Sequence, residues 1–245
     1  MRITIRSADD TICLSDSYTD IRHVWAIKQD GVRGLFGTPS VREAPIERPQ
    51  QDGAYWPSRF TQSSRTISLD CFIRGLSTAE AANARDRINA LMCKSLVLEV
   101  QDVFGVRQTE CYLTADPEPL MRYRMQAFEF GLVLSCPDPY WYGPIRWFET
   151  TSREVRMEVV NNGNAPSWPI IKCEGNVTRL SYAYDYGIIE WTGESNGLEI
   201  DTHDMIPSAG HISQDLAFPI YPGRCKPLLK TDAAKTLIGV RPAWR

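Results

Sequence analysis

The stretch LSCPDPYWYG, residues 134–143, divides the sequence into two parts with different patterns. It follows a long apolar strand pattern and contains two prolines, two tyrosines, a tryptophan and a terminal glycine. Proline cannot donate to a strand ladder and glycine favours turns, so Pro137, Pro139 and Gly143 are expected to end that strand. The stretch therefore predicts a boundary between two domains, residues 1–143 and 144–245.

The first part combines alternating strands with one helix pattern. In RTISLDCFI, residues 65–73, every second side chain is apolar, as in a half-buried strand, and SLVLEV at 95–100 alternates in the same way. Between them the sequence predicts an amphipathic helix over about 77–93, because Ser77 and Glu80 have the spacing of a capping box. The apolar stripe of this helix contains Ala81, Ala84, Ile88, Leu91 and Met92.

The strand pattern at 122–134 changes phase midway. The apolar side chains from Phe128 to Leu134 lie on one face, whereas Tyr123 and Met125 lie on the other. A β-bulge is one explanation. The other is that both faces are covered, one by the domain core and one by a neighbouring subunit.

The second part has no helix pattern. Short strand patterns such as REVRMEVV, IIKCEG, IIEW and LEID alternate with turn sequences such as NNGNAPSWP and TGESNG. Several short strands separated by turn signals are typical of a β-sandwich. The expected fold class is therefore mostly β, with a single helix in the first domain.

Composition excludes several classes of protein. The chain has 245 residues, 43% hydrophobic and 23% charged, with a formal net charge of −3. It lacks the basic excess of a nucleic-acid-binding protein, so no stable nucleic-acid binding is predicted. No apolar run approaches the roughly 18 residues that a membrane span needs, so no membrane insertion is predicted. The N-terminal MRITIR reads as a strand without a signal peptide's apolar core, so we expect folding in a cytoplasm.

The cysteines do not predict a metal site or a disulfide framework. There are seven, an odd number, and none forms a Cys-x-x-Cys pair. Cys71 and Cys173 fall on the apolar phase of strand patterns, where a thiol acts as a small hydrophobic group.

Catalytic chemistry is not indicated. His203 lies between Asp201 and Asp204, but no second ligand motif accompanies it. Ser208 and His211 lack a nucleophile elbow, and no phosphate loop or dinucleotide fingerprint occurs. The sequence predicts no enzyme, no metal and no cofactor, and a hydrolase using His203 or His211 ranks last among the alternatives.

Two aromatic groups are candidates for binding. Tyr182, Tyr184 and Trp191 can stack on sugar rings, although a sandwich core or an interface is the more common use of such residues. A loop at 31–57, rich in glycine, proline and charge, is long enough to be functional or ordered by a partner. The predicted interface residues are Phe36, Tyr55, Trp56, Tyr123 and Met125.

The order of several motifs resembles the distal tail proteins of long-tailed phages with non-contractile tails (the Sipho-tail family). The motifs run as Asp52-Gly53 in a polar loop, a strand ending in CFIRG, a single helix, CPDPYWYG, NNGNAPSWPIIKCEG, LEIDT and FPIYPG. DPYW followed by the NNGNAPSWP stretch is the most specific part. The resemblance covers nearly the whole chain.

The resemblance implies a tail-tube-like β domain with one helix, which closes into a hexameric ring, and a galectin-like β-sandwich. It further implies a structural hub at the tail tip of the virion, assembled in the host cytoplasm. Its expected partners are the tail tube protein, the tail-fibre or hub protein and receptor-binding proteins. A carbohydrate-binding module that contacts the host surface remains the alternative, because a galectin-like fold does not itself confer sugar binding.

Overall fold

A computed structural model describes residues 1–16, 24–74, 77–122 and 127–245. The chain separates into two compact units, Met1–Trp141 together with Arg245, and Tyr142–Trp244. The strand β9 (Trp141–Tyr142) lies where the first unit ends and the second begins.

The first unit contains eight strands before β9, and a helix. The strands are β1 (Arg2–Arg6), β2 (Thr11–Ser15), β3 (Val24–Arg33), β4 (Arg65–Arg74), β5 (Leu96–Asp102), β6 (Gly105–Leu113), β7 (Leu120–Arg122) and β8 (Ala127–Cys136). The helix α1 (Thr78–Asn89) connects β4 to β5.

Seven of these strands close into a barrel. Their order is β6-β5-β1-β2-β3-β4-β8, and β8 also pairs with β6. The β4–β8 ladder is the longest of the barrel, from Arg65 opposite Cys136 to Arg74 opposite Ala127. The closing β6–β8 ladder is short, with Tyr112 opposite Ser135 and Leu113 opposite Leu134. Closure removes the free strand edges that an open sheet would expose.

The alternation predicted at 65–73 and 95–100 is the alternation of the barrel core. Every second side chain of β4, β5 and β8 is buried, as expected when one face of each strand faces a core. The buried side chains of these three strands include Ile67, Leu69, Cys71, Ile73, Leu96, Leu98, Val100, Phe128, Phe130, Leu132, Leu134 and Cys136.

The helix begins where the sequence predicts and ends earlier. The Ser77 hydroxyl accepts a hydrogen bond from the Glu80 amide, which satisfies one of the free donors at the helix start. The helix ends at Asn89, and the following residues form turns rather than continuing to 93. Cys93 has a φ of 59°, a left-handed conformation that a continuing helix does not contain.

The β1–β2 turn holds the helix in place. Arg87 donates from Nε and Nη2 to the two carboxylate oxygens of Asp10, at 2.7 and 2.8 Å. Its guanidinium carbon lies 5.1 Å from the ring centroid of Trp25. A bidentate pair of this kind fixes direction as well as distance.

The phase change at 122–134 reflects a reversal of the chain, which neither of the two expected explanations includes. β7 pairs antiparallel with β8, with Leu120 opposite Glu129 and Arg122 opposite Ala127. The sequence pattern at 122–134 therefore covers the end of β7 and most of β8. Tyr123 and Met125 lie outside the described residues.

The second unit contains eleven further strands. They are β10 (Arg146–Thr150), β11 (Glu154–Arg156), β12 (Val159–Asn161), β13 (Ile170–Tyr184), β14 (Gly187–Asp201), β15 (Ile206–Pro207), β16 (His211–Leu216), β17 (Gly223–Cys225), β18 (Leu228–Thr231), β19 (Lys235–Val240) and β20 (Ala243–Trp244).

One long hairpin, β13–β14, pairs with four other strands of this unit, β15, β16, β18 and β19. Its register shifts between Cys173 and Asn176 and again between Val177 and Arg179. Before the shifts β13 pairs with β19, and after them it pairs with β18. Irregularities of this kind bend a strand, so one hairpin can contribute to two packed layers. A single cluster of buried side chains, including Ile171, Tyr182, Trp191 and Ile238, fills the space between them.

The NNGNAPSWP stretch joins several backbone segments of the second unit. The buried Asn161 donates from Nδ2 to the carbonyls of Ala165 (2.8 Å) and Ile220 (2.9 Å). Its Oδ1 accepts from the amide of Gly163 at 2.9 Å. A Cβ at Gly163 would lie 1.9 Å from the Ala243 carbonyl oxygen, so only glycine fits there. The motif most specific to the family resemblance is thus explained by backbone contacts of this fold.

Replacing Asn161 with alanine is expected to lower the free energy of unfolding by about 2–4 kcal/mol. The change removes two donors and leaves the buried carbonyls of Ala165 and Ile220 without those partners. The neighbouring exposed Asn162 provides a matched control, and Asn162→Ala should stay within about 0.5 kcal/mol of wild type. Equal effects in urea unfolding would contradict this role of Asn161.

Candidate assembly surface

The loop predicted to be functional is an arm that joins β3 to β4. We define the arm as residues 34–64. Three predicted interface residues lie on it, and all are exposed: Phe36 (73%), Tyr55 (55%) and Trp56 (82%). The other two, Tyr123 and Met125, lie outside the described residues, so the structure does not place them beside the arm.

The base of the arm is fixed by Gly34 and Arg65. Gly34 has a φ of 75°, and a Cβ there would lie 2.0 Å from the Thr66 carbonyl oxygen. The buried Arg65 donates from Nη1 to the carbonyl of Gly34 at 3.0 Å and from Nε to that of Pro139 at 3.0 Å. Its guanidinium carbon also lies 5.7 Å from the Trp141 ring centroid. Burial lowers the pKa of this arginine, which is far above neutrality in any case.

The arm folds back on itself as an antiparallel pair of segments. Backbone hydrogen bonds join Ser63 to Ser40 (3.0 Å), Arg42 to Thr61 (3.0 Å) and Tyr55 to Ile46 (2.8 Å). The final turn is closed by the Arg48 amide, which donates to the Gly53 carbonyl at 3.0 Å. Regular strands are not continuous here, because only isolated bridges connect the two segments.

Side-chain contacts stiffen the arm without burying its aromatic rings. The Glu43 carboxylate accepts from the Thr61 hydroxyl and from the Thr61 amide at 2.9 Å, and these bonds lower its pKa. Trp56 meets Phe60 edge to face, with ring centroids 5.7 Å apart. Arg48 lies over the Tyr55 ring at 5.6 Å. The arm is therefore an ordered surface that presents aromatic groups to solvent.

Exposed apolar side chains are concentrated on the arm. Of the sixteen large hydrophobic side chains exposed in the described chain, six lie on it: Phe36, Val41, Ile46, Tyr55, Trp56 and Phe60. The arm has three arginines and three carboxylates and so carries no net charge. A patch of this kind typically marks a protein–protein contact. Its binding would depend on apolar burial more than on charge.

A second exposed group escaped the sequence prediction. Val103 and Phe104 form the tip of the β5–β6 hairpin, and Phe104 is 83% exposed. Together with Phe36 they line one open groove of the first unit. A sequence feature could have predicted this exposed group: Val103 and Phe104 are an apolar pair at turn positions between Asp102 and Gly105, where polar residues are usual.

The sugar-stacking prediction is wrong for two of its three residues. Tyr182 and Trp191 are both 0% exposed and belong to the core of the second unit. The Tyr182 ring stacks on Phe218 at 5.1 Å, and Trp191 Nε1 donates to the Ala209 carbonyl at 2.6 Å. Tyr184, the last residue of β13, is 38% exposed. A ring without exposed surface cannot stack on a ligand.

The histidine candidates lie in polar turns and strand edges. His203 Nδ1 lies 2.8 Å from Asp204 Oδ1, and its amide donates to Asp201 at 2.9 Å. The Ser208 hydroxyl accepts from the Glu199 amide at 2.9 Å. Within the described ranges, no three His, Cys, Asp or Glu side chains are grouped as metal ligands would be. The described helix α1 is too short and too polar to cross a membrane.

The fold is similar to that of solved phage adsorption-hub and baseplate proteins. The SPP1 Dit protein, a paradigm of the hub adsorption apparatus in phages that infect Gram-positive bacteria, superimposes with a TM-score of 0.68. Its sequence is 14% identical, and the match covers 99% of each chain. A chain of the phage P2 baseplate in its activated conformation with Ca gives 0.52 at 11% identity, over 98% of each chain.

The same baseplate with Sr gives a TM-score of 0.51 at 10% identity. No protein-family model and no curated protein matches the sequence. At these identities the likeness concerns the fold. It confirms the expected mostly-β architecture and the structural resemblance to distal tail proteins.

Replacing Gly34 with alanine should destabilise the base of the arm. The new Cβ meets the Thr66 carbonyl in a left-handed backbone, so we expect a loss of roughly 1–3 kcal/mol in the free energy of unfolding. Limited proteolysis should also cut the arm faster. Gly37 has open space around its Cβ position, and Gly37→Ala is expected to change stability by no more than about 0.5 kcal/mol. Indistinguishable variants would show that the base is not fixed at Gly34.

Proposed function

We propose that this chain is a structural, non-enzymatic component of a phage tail tip, a hub that closes into a hexameric ring. The support is a fold likeness that covers 99% of both this chain and the SPP1 hub protein. The proposed ring joins the tail tube protein to the tail-fibre or hub protein and provides a base for receptor-binding proteins. Its place is the virion, after assembly in the host cytoplasm.

The observation that carries the proposal is the ordered apolar arm of the first unit. Fully burying one large apolar side chain contributes roughly 1.5–3 kcal/mol, so the six exposed groups of the arm are a substantial driving force for association. The proposed occupant is the next copy of the chain. A head-to-tail contact between identical copies gives a ring when the rotation closes.

We propose that residues 1–143 provide the ring contacts and that residues 144–245 form the β-sandwich. Both the arm and the Val103–Phe104 tip belong to the first of these ranges. The net charge of −3 suits a conduit for DNA, because binding to phosphates requires clustered basic side chains.

The carbohydrate-binding alternative loses its main residues. Two of the three aromatic side chains on which it depends are in the core of the second unit. A sugar site would have to use Tyr184 with other exposed groups.

The assembly proposal is tested by a charge on the arm. Trp56→Glu in the full chain is expected to raise the protein concentration needed for ring formation at least tenfold. A carboxylate cannot enter an apolar contact without loss of hydration. Size-exclusion chromatography with light scattering and negative-stain images gives the readout. Tyr186→Glu is the matched control, since Tyr186 is also highly exposed (93%, against 82% for Trp56), lies in the second unit and should leave assembly unchanged.

High salt should leave the ring intact, because the arm has no net charge. A chain that stays monomeric at every concentration and forms no ring in assembled particles would overturn the proposal. Assembly that survives Trp56→Glu and fails with Tyr186→Glu would move the contact to the second unit.

A further inference from the structure

Two cysteines face each other across the closing seam of the barrel. The β6–β8 ladder pairs Tyr112 with Ser135 and Leu113 with Leu134, and extending that register by one residue brings Cys111 opposite Cys136. Both side chains are buried, and each thiol is the main influence on the pKa of the other. Opposed residues of an antiparallel pair have Cα atoms about 4.5–5.5 Å apart, within the roughly 4.4–6.8 Å that disulfides span.

The register places two further polar groups beside this pair. Arg65 on β4 lies opposite Cys136 on its other side, and Thr109 precedes Cys111 by two residues on β6 and is also buried. The Arg65 Nη2 and the Thr109 hydroxyl are buried polar atoms without a hydrogen-bond partner, sulfur included, among the described residues. Unsatisfied buried donors of this kind are rare and call for an explanation.

The positive charge of Arg65 and the Thr109 hydroxyl both favour the thiolate form of Cys136. The hydrogen bond from Cys111 is the largest cause that lowers the pKa of Cys136. Burial opposes this shift, while the charge of Arg65 and the hydroxyl of Thr109 lower the pKa further. The pKa of Cys111 is raised by the same interaction, so Cys136 is the cysteine of the pair that ionises first. The thiolate is the nucleophile in disulfide exchange.

We propose that Cys111 and Cys136 are a redox site, and that a small-molecule disulfide oxidises them to a disulfide bond that closes the β6–β8 seam covalently. The inference is independent of the proposed function. It rests on the register of three neighbouring strands, β4, β8 and β6, which places Arg65, Cys136 and Cys111 next to one another in the barrel wall.

The reaction balances with glutathione disulfide as the oxidant. The Cys136 thiolate attacks one sulfur of the disulfide, forming a mixed disulfide and releasing one glutathione thiolate, which takes up a proton. Cys111 then loses its proton and attacks the Cys136 sulfur, which releases the second glutathione. The two cysteines lose two electrons and two protons, and glutathione disulfide is reduced to two thiols.

A groove gives the oxidant a route to the pair. Cys111 lines it together with Met92, Cys93 and Pro137, and Cys93 is exposed. Cys136 has no exposed surface in the closed barrel, so attack requires a local opening of the short seam. Oxidation of Cys111 and Cys136 should therefore be slower than modification of Cys93. Its product should be an internal disulfide bond, whereas Cys93 should form a mixed disulfide with glutathione.

The test uses the full chain, reduced and then incubated with glutathione disulfide. After an acid quench and alkylation, non-reducing peptide mapping should find Cys111 linked to Cys136, with a mass lower by two hydrogen atoms. The melting temperature should rise by about 5–15 °C, because the bond closes a loop of roughly 25 residues in the unfolded chain. Cys71, buried on β4, should stay alkylatable after denaturation and serves as an internal control.

Variants separate this bond from other thiol chemistry. Cys93→Ser should still form the linked peptide, whereas Cys111→Ser and Cys136→Ser should not. Thr109→Val removes one donor to the thiolate and should slow linkage severalfold near neutral pH, with a rate profile displaced to higher pH. Alkylation of both Cys111 and Cys136 in the oxidised wild-type chain, with modification confined to Cys93, would overturn the proposal even if the variants fold poorly.

Discussion

Closure of the barrel by β6 and β8 is the constraint on which the first unit depends. Without that ladder the seven strands would form an open sheet with two edges, and edges invite pairing with other chains. The ladder is short, and its pairs Tyr112–Ser135 and Leu113–Leu134 lie next to Cys111 and Cys136. The seam is therefore the place where one additional bond changes the stability of the barrel most.

Arg65 connects this seam to the arm. One buried guanidinium donates to carbonyls at the base of the arm and after β8, and its charge acts on Cys136. Burying a cation is unfavourable unless hydrogen bonds replace its hydration, and the carbonyls of Gly34 and Pro139 provide that replacement. The arm is thus fixed at its base while its aromatic groups remain exposed, as expected for a surface prepared to bind a partner.

The sequence predicted the elements that depend on local pattern. Period-2 alternation located β4 and β5, and the Ser77–Glu80 spacing located the start of the helix. The end of the helix and the reversal before β8 were missed, because both depend on tertiary pairing that leaves no local signal. The closing ladder joins residues distant in sequence, and no periodicity indicates which strands meet.

The candidate surface was predicted in part for the same reason. Alternation shows that Tyr182 and Tyr184 share one strand face, but it does not show where the core ends along that face. Tyr182 lies against Phe218 inside the second unit, whereas Tyr184 lies two residues nearer the hairpin turn and is partly exposed. On the arm the composition was informative, because glycine, proline and charge excluded a core strand and left Phe36, Tyr55 and Trp56 without a place to be buried.

The arm and the seam impose different requirements on the same unit. An apolar arm without net charge needs a partner surface to cover it, and its affinity rises with the number of copies that can close a ring. The seam needs no partner, because Arg65 and Thr109 are supplied by the barrel strands themselves. Since Arg65 also holds the Gly34 carbonyl, a partner that immobilises the arm restrains the guanidinium beside Cys136. One buried side chain, Arg65, is therefore shared by the base of the arm and the surroundings of Cys136.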